Sequence, residues 1–296
     1  MNNQQPFLSI VIANYNYGHL LSAALESIIT QDCTDYEIIV VDGGSTDNSV
    51  EVIKQYENYI AWWISEPDKG QSNAFNKGFI HSKGKFLTWL NADDLLMPGT
   101  IREVKRRLNA HPEAKWATGN FVRFLHRNGR VLSAPWGPHW LPKWLQGPGR
   151  VTVSFGPTTF WSREIFDKLG PIDESLHYAM DIDYWYRINM AGYKQVRVNY
   201  TCWGFRMHES SKTAEFGEHE KTDNGKIALQ REKRYIIEKN NYHPKLFWRY
   251  VGLCMRCIDG SMVKALFNKL VIVGSDIRIR YHINYNILLE EENNKK

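Results

Sequence analysis

Four polar clusters carry the chemistry this chain can offer. Asp42-Gly43-Gly44-Ser45-Thr46-Asp47 sets a carboxylate before two glycines and a run of capping residues. As plain structure it is a tight turn into a helix. As a site, Asp42 would accept hydrogen bonds from a ligand N–H or O–H while Gly43 and Gly44 permit close approach. Asn91-Ala92-Asp93-Asp94 offers oxygen donors suited to a hard divalent cation that also touches phosphate, or else a capped turn before Pro98. Asp181-Ile182-Asp183 places two carboxylates at i and i+2, which do not share a helix face, so at most one points into a site. Its plain reading is an N-cap plus a surface acid. His208 lies in Arg206-Met207-His208-Glu209-Ser210-Ser211-Lys212, and alone it reads as a structural histidine.

Other chemistries lack their signatures. There is no GxGxxG and no GxxxxGK[ST], so the dinucleotide and P-loop readings fall. Cys254 and Cys257 have the spacing of a zinc half-site, but no second pair exists and both sit on an apolar stripe, so they read as core cysteines. Four cysteines are too few and too scattered for a disulfide framework, which favours a reducing compartment.

The clusters need a scaffold, and the pattern supplies one. Leu8–Ala13 is a short apolar run and Glu37–Val41 a continuous β-branched one, both of the kind covered on two faces. Tyr59–Ser65 and Lys85–Leu90 read as further strands. Helices are expected at Gly18–Thr30, after Ser45-Thr46-Asp47 through Tyr56, over Gln71–His81 and from Pro98 to Asn109. This rhythm predicts an α/β fold with a mostly parallel sheet, Rossmann-like and doubly wound, whose ligands bind beyond the carboxyl ends of the strands. The Asp42 and Asn91 clusters fall at two such ends. Residues 130–150, rich in Pro, Gly and Trp, read as a loop or lid. Trp136, Trp140 and Trp144 there could stack on sugar faces or form a small satellite core. Strand and helix signals return at Val151–Val153 and Ser162–Leu169.

Composition bounds the rest. A chain of 296 residues with 43% hydrophobic and 23% charged residues can bury a large core, and global disorder is excluded. The start, MNNQQPF, has neither the basic nor the apolar region of a signal peptide, and no apolar run approaches the roughly 18 residues of a spanning helix. The net charge of +5 is uneven: residues 226–296 hold 14 Lys and Arg against 7 Asp and Glu, whereas the other 225 residues hold 23 against 25. That distribution argues against a nucleic-acid partner and for a basic tail on a near-neutral body. Leu246–Leu270 has a basic amphipathic pattern, mainly helical, and residues 277–287 alternate as a one-sided strand. The tail is read two ways: as a contact with an anionic membrane surface, or as a packing or dimer-forming element.

Three segments together resemble glycosyltransferase family 2, inverting nucleotide-sugar transferases with the GT-A fold. They are SIVIANYN…LESIITQDCTDYEIIVVDGGSTDNSVEVI (9–53), SEPDKGQSNAFNKGF…GKFLTWLNADDLLMPGTI (65–101) and GPTTFWSREIFDKLGPIDESLHYAMDIDYWYRI (156–188), the last followed by FRMHESSKT. The nearest likeness is to bacterial enzymes that build O-antigen, capsule or exopolysaccharide units. It implies a catalytic domain over 1–225, with a nucleotide-sugar half at 1–110 and an acceptor half at 111–225, and an extension over 226–296. The resemblance places Ala13, Asn14, Tyr15 and Asp42 against the nucleotide base, and Gly70 and Asn73 in the stretch over the nucleoside. It places the D-x-D motif on Asn91-Ala92-Asp93. Ala13-Asn14 stands where the family usually has Pro-Thr, and Asn73 and Asn91 stand where it has Asp. The resemblance further implies that Asp93 and His208 hold Mg²⁺ or Mn²⁺, with Asp94 in reserve, and that Asp181 is the general base, with Asp183 the runner-up.

The implied reaction moves a sugar from a nucleotide sugar, UDP-linked by family habit, to a hydroxyl of a saccharide or lipid-linked saccharide. The implied location is the cytoplasm or the cytoplasmic face of the inner membrane. Two other readings stay open: a non-catalytic nucleotide-sugar or carbohydrate-binding relative, which Asn91 would suit, and a nucleotidyltransferase, whose basic phosphate loop Asn14-Tyr15-Asn16-Tyr17-Gly18 does not supply.

Overall fold

The structure, a computed structural model, describes residues 5–134, 156–209, 211 and 223–240. Its first half alternates as the pattern demands: β1 (Leu8–Asn14), α1 (Gly18–Ile29), β2 (Tyr36–Asp42), α2 (Ser49–Gln55), β3 (Ile60–Ser65), α3 (Gln71–His81), β4 (Phe86–Asn91), β5 (Leu95–Leu96) and α4 (Thr100–Asn109). The second half adds β6 (Trp116–Leu125), β7 (Val131–Ser133), β8 (Thr159–Ser162), α5 (Arg163–Leu169), α6 (Met180–Met190), β9 (Gln195–Met207) and α7 (Asp223–Lys239).

The strands form one mixed, curled sheet in the order β3-β2-β1-β4-β8-β6-β9-β5, with β7 beside β6. The first four are parallel, as expected, and their register brings their carboxyl ends level: Asn14 faces Asp42, Ala13 faces Asn91, and Asp42 faces Ser65. Beyond β4 the sheet departs from the parallel expectation. β8 runs antiparallel to both β4 and β6, β5 runs antiparallel to β9, and only β6 and β9 pair in parallel. Residues 131–133, expected to lie in a loop, form β7 instead, paired antiparallel with β6.

Both faces of the parallel strands are covered, which explains their unbroken apolar character. Ile10, Ile12, Ile38 and Val40 pack with Leu21, Leu25 and Ile28 of α1 and with Ile101 and Val104 of α4. Val11, Ile39, Leu87 and Trp89 pack on the other face with Phe75 and Phe79 of α3 and with Tyr184 and Trp185 of α6. The second layer is aromatic. Trp185 stacks on Trp89 with ring centroids 4.9 Å apart, and Phe75 stacks on Trp89 at 5.2 Å. Such contacts seat α6 firmly on β4. At Gly78 the backbone of α3 approaches β1 so closely that a Cβ would stand 2.2 Å from Val11 Cγ1.

α7 runs across residues 225 and 226, where the sequence reading divides the chain, and packs Ile236 and Leu229 into the aromatic layer. No helix among the described residues is long and apolar enough to cross a membrane. Trp136, Trp140, Trp144, Val151–Val153, Cys254, Cys257, the amphipathic 246–270 stretch and the alternating 277–287 stretch lie outside the described residues.

Candidate active site

The level carboxyl ends of β1, β2 and β4 open onto a cleft of about 780 Å³. Its first wall comes from two loops stitched together. Ser45 Oγ accepts from the Asn16 amide at 2.8 Å, and Asn16 Oδ1 accepts from the Thr46 amide at 2.8 Å, with Asn16 in the left-handed region at φ 57°. Asp47, one residue before the Asn48 N-cap of α2, ties two helices at once. Its carboxylate accepts from the Ser49 amide of α2 at 3.0 Å and from the Gly18 amide of α1 at 2.9 Å. The stitched loops present Ala13, Asn14, Tyr15, Gly43 and Gly44 to the cleft. The Tyr15 side chain is 59% exposed there. Asn14 Oδ1 is buried at this wall without a hydrogen-bond donor among the described residues.

Asp42 lies behind that wall. It is fully buried, and its two oxygens accept from Asn14 Nδ2 (2.6 Å), Ser45 Oγ (2.5 Å), the Ser45 amide (3.0 Å) and Ser65 Oγ (2.6 Å). Burial pushes its pKa up, but hydrogen bonds from Ser45, Ser65 and Asn14 outweigh it and hold the carboxyl below the ordinary 3.8. Asp42 therefore acts on the cleft through Asn14 and Ser45, which it orients.

Gly70 and Gln71 contribute the next wall. Gly70 has φ 106°, a conformation that glycine adopts without strain, and its amide donates to Asp68 Oδ1 at 2.7 Å. Asn73 does not line the cleft; its Nδ2 donates to Glu174 Oε2 at 3.0 Å. Gln71, in the Asp68–Asn73 stretch, donates from Nε2 to Asn91 Oδ1 at 2.7 Å. The Asn91 amide is thus engaged at both ends, since its Nδ2 donates to Asp94 Oδ2 at 2.8 Å.

The Asn91-Ala92-Asp93-Asp94 turn separates its acids. Asp93 lines the cleft, and Oδ2 lies 3.1 Å from His208 Nε2, with 13% and 8% of the two side chains exposed. Asp94 is wholly buried, receives the Arg206 amide at 3.0 Å, and does not line the cleft. Burial first, and the adjacent Asp93 charge second, push its carboxyl well above 3.8, favouring the neutral form.

The far wall comes from α6 and the second half of the sheet. Asp181 lines the cleft, accepting from the Ile182 amide at 2.8 Å and the Gly156 amide at 3.4 Å. Asp183 turns the other way, fully buried, and accepts from Arg187 Nε at 2.9 Å. The two-residue spacing thus resolves as helix geometry requires. The start of α6 is held from outside: Glu232 of α7 accepts from the consecutive amides of His177, Tyr178 and Ala179 at 2.9, 2.8 and 2.8 Å. A carboxylate there satisfies donors that α6 cannot satisfy itself and sits favourably at the helix start. Nothing in the sequence pattern signals Glu232. Phe121, Arg123, Trp203 and Phe205 complete the wall from β6 and β9, two strands that the sequence reading does not find.

Among the described residues no three His, Cys, Asp or Glu side chains converge on one point. The Asp93 and His208 donors nevertheless fit a divalent cation. Two ligands on neighbouring corners of an octahedron with bonds of about 2.1 Å stand roughly 3 Å apart. That matches the 3.1 Å between these two atoms, and the other positions would fall to ligand oxygens and water.

A family model described as "Glycosyl transferase family 2" matches residues 9–170. An uncharacterized glycosyltransferase of Nostoc sp. is 39% identical over 181 residues, which is 56% of this chain and 54% of that protein. A PGL/p-HBAD biosynthesis glycosyltransferase of Mycobacterium bovis is 31% identical over 121 residues, 40% of this chain and 47% of that one. The chain thus spans about half the length of these curated relatives. Among solved structures, S. aureus TarS 1-349 in complex with UDP-GlcNAc superposes with a TM-score of 0.57 at 16% identity, covering 96% of this chain and 77% of that one. A mannosyltransferase from Pyrobaculum calidifontis, in complex with GDP-Man and Mn²⁺, superposes with a TM-score of 0.55 at 16% identity, covering 99% and 89%.

Proposed function

Because the chain belongs to glycosyl transferase family 2, we propose that it transfers a sugar from a nucleotide sugar to an acceptor hydroxyl, with inversion at the anomeric carbon. The observation that carries this reading is the meeting of Asp93, Asp181 and Asn14 in one cleft, from three distant segments of the chain. The solved neighbours in complex with UDP-GlcNAc and with GDP-Man support a nucleotide sugar as donor. UDP is the first choice and GDP the second.

Each wall then has a task. Tyr15 offers an open aromatic face for a flat base, and Asn14, held by Asp42, lies beside it in the cleft wall. Asp93 and His208 hold Mg²⁺ or Mn²⁺. When bound, the cation supplies Lewis-acid neutralisation of the departing diphosphate. Asp181 orients the acceptor hydroxyl and takes its proton as attack proceeds, a role worth typically 10²–10⁴-fold. One base and one displacement give inversion. Trp89, Gln71 and Asn91 support this geometry from below. The acceptor is a saccharide, lipid-linked in the fuller reading. The cytoplasmic face of the inner membrane is its place of work, with the basic tail as the membrane contact.

The test is a panel of UDP-, GDP- and dTDP-sugars with purified protein, read as nucleotide release with and without acceptor sugars. Turnover of one donor is expected. Nucleotide-sugar binding without turnover against every acceptor would favour a non-catalytic relative instead.

A further inference from the structure

We propose that Arg123 recognises a negative charge on the acceptor, so that the acceptor saccharide carries an oxyanion close to the reacting hydroxyl. The proposal rests on the reading of the cleft as a sugar-transfer site and adds a substrate class to it.

Arg123 is the one lysine or arginine among the described residues that line the cleft. Three carboxylates line it too, and each has its own contacts: Asp68 with the Gly70 amide, Asp93 with His208, Asp181 with the Ile182 amide. None of the described carboxylates forms an ion pair with Arg123; its guanidinium lies instead 5.6 Å from the Phe121 ring centroid and 5.5 Å from that of Phe205. The register explains this bed. Phe121 faces Trp203 and Arg123 faces Phe205 across β6 and β9, so the four side chains share one face of the sheet. Trp203 stacks on Phe205 at 4.8 Å and lies 5.3 Å from Phe121.

Flat aromatic faces suit the apolar side of a sugar ring, and a guanidinium set among them suits a carboxylate or phosphate beside that ring. Arg123 is exposed to solvent along the cleft wall, and its guanidinium is charged at neutral pH. With no carboxylate partner among the described residues, the exposed guanidinium is available to an incoming anion. The donor diphosphate would be neutralised by the divalent cation that Asp93 and His208 would hold, which leaves Arg123, the one lysine or arginine lining the cleft among the described residues, for the acceptor.

The experiment titrates UDP-saturated full-length protein with glucose, glucuronic acid and glucose 6-phosphate, by calorimetry or ligand-observed NMR. At least one charged sugar should bind about tenfold or more tighter than glucose. The better of the two tells a carboxylate from a phosphate source. R123Q should lose the preference and R123K should keep part of it, with wild-type unfolding midpoints as the folding control. Equal affinity for all three sugars, or a preference that survives in R123Q, overturns the proposal. UDP affinity should be unchanged in R123Q; a tenfold loss would assign Arg123 to the donor and also overturn it. If none of UDP, GDP and dTDP binds the wild type, the transferase reading falls, while the sugar titrations repeated without nucleotide still decide the role of Arg123.

Discussion

The Nε2 of His208 stands 3.1 Å from the Oδ2 of Asp93, though 115 positions separate them in the chain. In the proposed reaction these two groups would hold one cation jointly. His208→Ala should therefore raise the Mn²⁺ or Mg²⁺ concentration needed for half-maximal activity by about 10–100-fold, and Asp93→Ala should abolish activity at any concentration. EDTA should silence the wild type, and added cation should restore it. Chelator-resistant turnover would remove the metal from the scheme.

Asp181 faces the cleft and Asp183 does not. Asp181→Asn should lower turnover by about 10²–10⁴-fold while leaving UDP affinity as it was. Comparable losses in both quantities would make Asp181 a binding group rather than a base.

Glu232 receives three successive amides at the start of α6. Glu232→Ala should cost about 2 kcal/mol of stability and reduce kcat with little change in donor affinity, because Asp181, the proposed base, loses its orientation. Glu232→Gln keeps one good acceptor and should recover part of both. An effect on stability with kcat intact would reduce the clamp to a structural role.

Asp42 has its pKa depressed by its hydrogen bonds, in spite of burial. Its stabilising contribution is therefore fully present above the unfolded-state value near 3.8 and disappears as pH falls through the lower folded-state value. Asp42→Asn should destabilise the protein by about 1–3 kcal/mol at pH 7. The gap between variant and wild type should narrow towards pH 3. Urea unfolding at both pH values measures it, and a pH-independent gap would contradict the depressed pKa.

Replacing a glycine inside a helix by alanine usually gains about 1 kcal/mol. At Gly78 the 2.2 Å approach to Val11 reverses the expectation. Gly78→Ala should lose about 1–3 kcal/mol, since neither α3 nor the fully buried Val11 has room to give. Thermal unfolding of the variant reads the sign.

Much of this architecture is legible in the residues. β1 and β2 are buried on both faces and so read as unbroken apolar runs, and the i, i+2 spacing of Asp181 and Asp183 separates them before any coordinates are known. The second half is less legible, for a physical reason. β6 and β9 carry buried polar and charged residues, among them Thr118, Asn120, Arg197 and Arg206, which break the hydrophobic pattern. Both strands also shift register near Asn120, so no single period fits them. The walls that they build, with Arg123 and Trp203, stay hidden as a result. Glu232 is hidden differently: one glutamate in a helix rich in charge carries no mark of the three amides that it meets. Asp42 reads as a direct ligand contact from its sequence position, whereas the fold sets it one layer back.

The aromatic layer has a practical corollary. Trp89 borders the cleft, lies nearly parallel to Trp185 at 13°, and meets Trp161 edge-on at 5.3 Å. Indoles coupled so tightly give strong near-ultraviolet dichroic bands whose shape depends on their mutual tilt. Filling the cleft should perturb those bands, so the molecule carries its own optical gauge of occupancy and needs no dye.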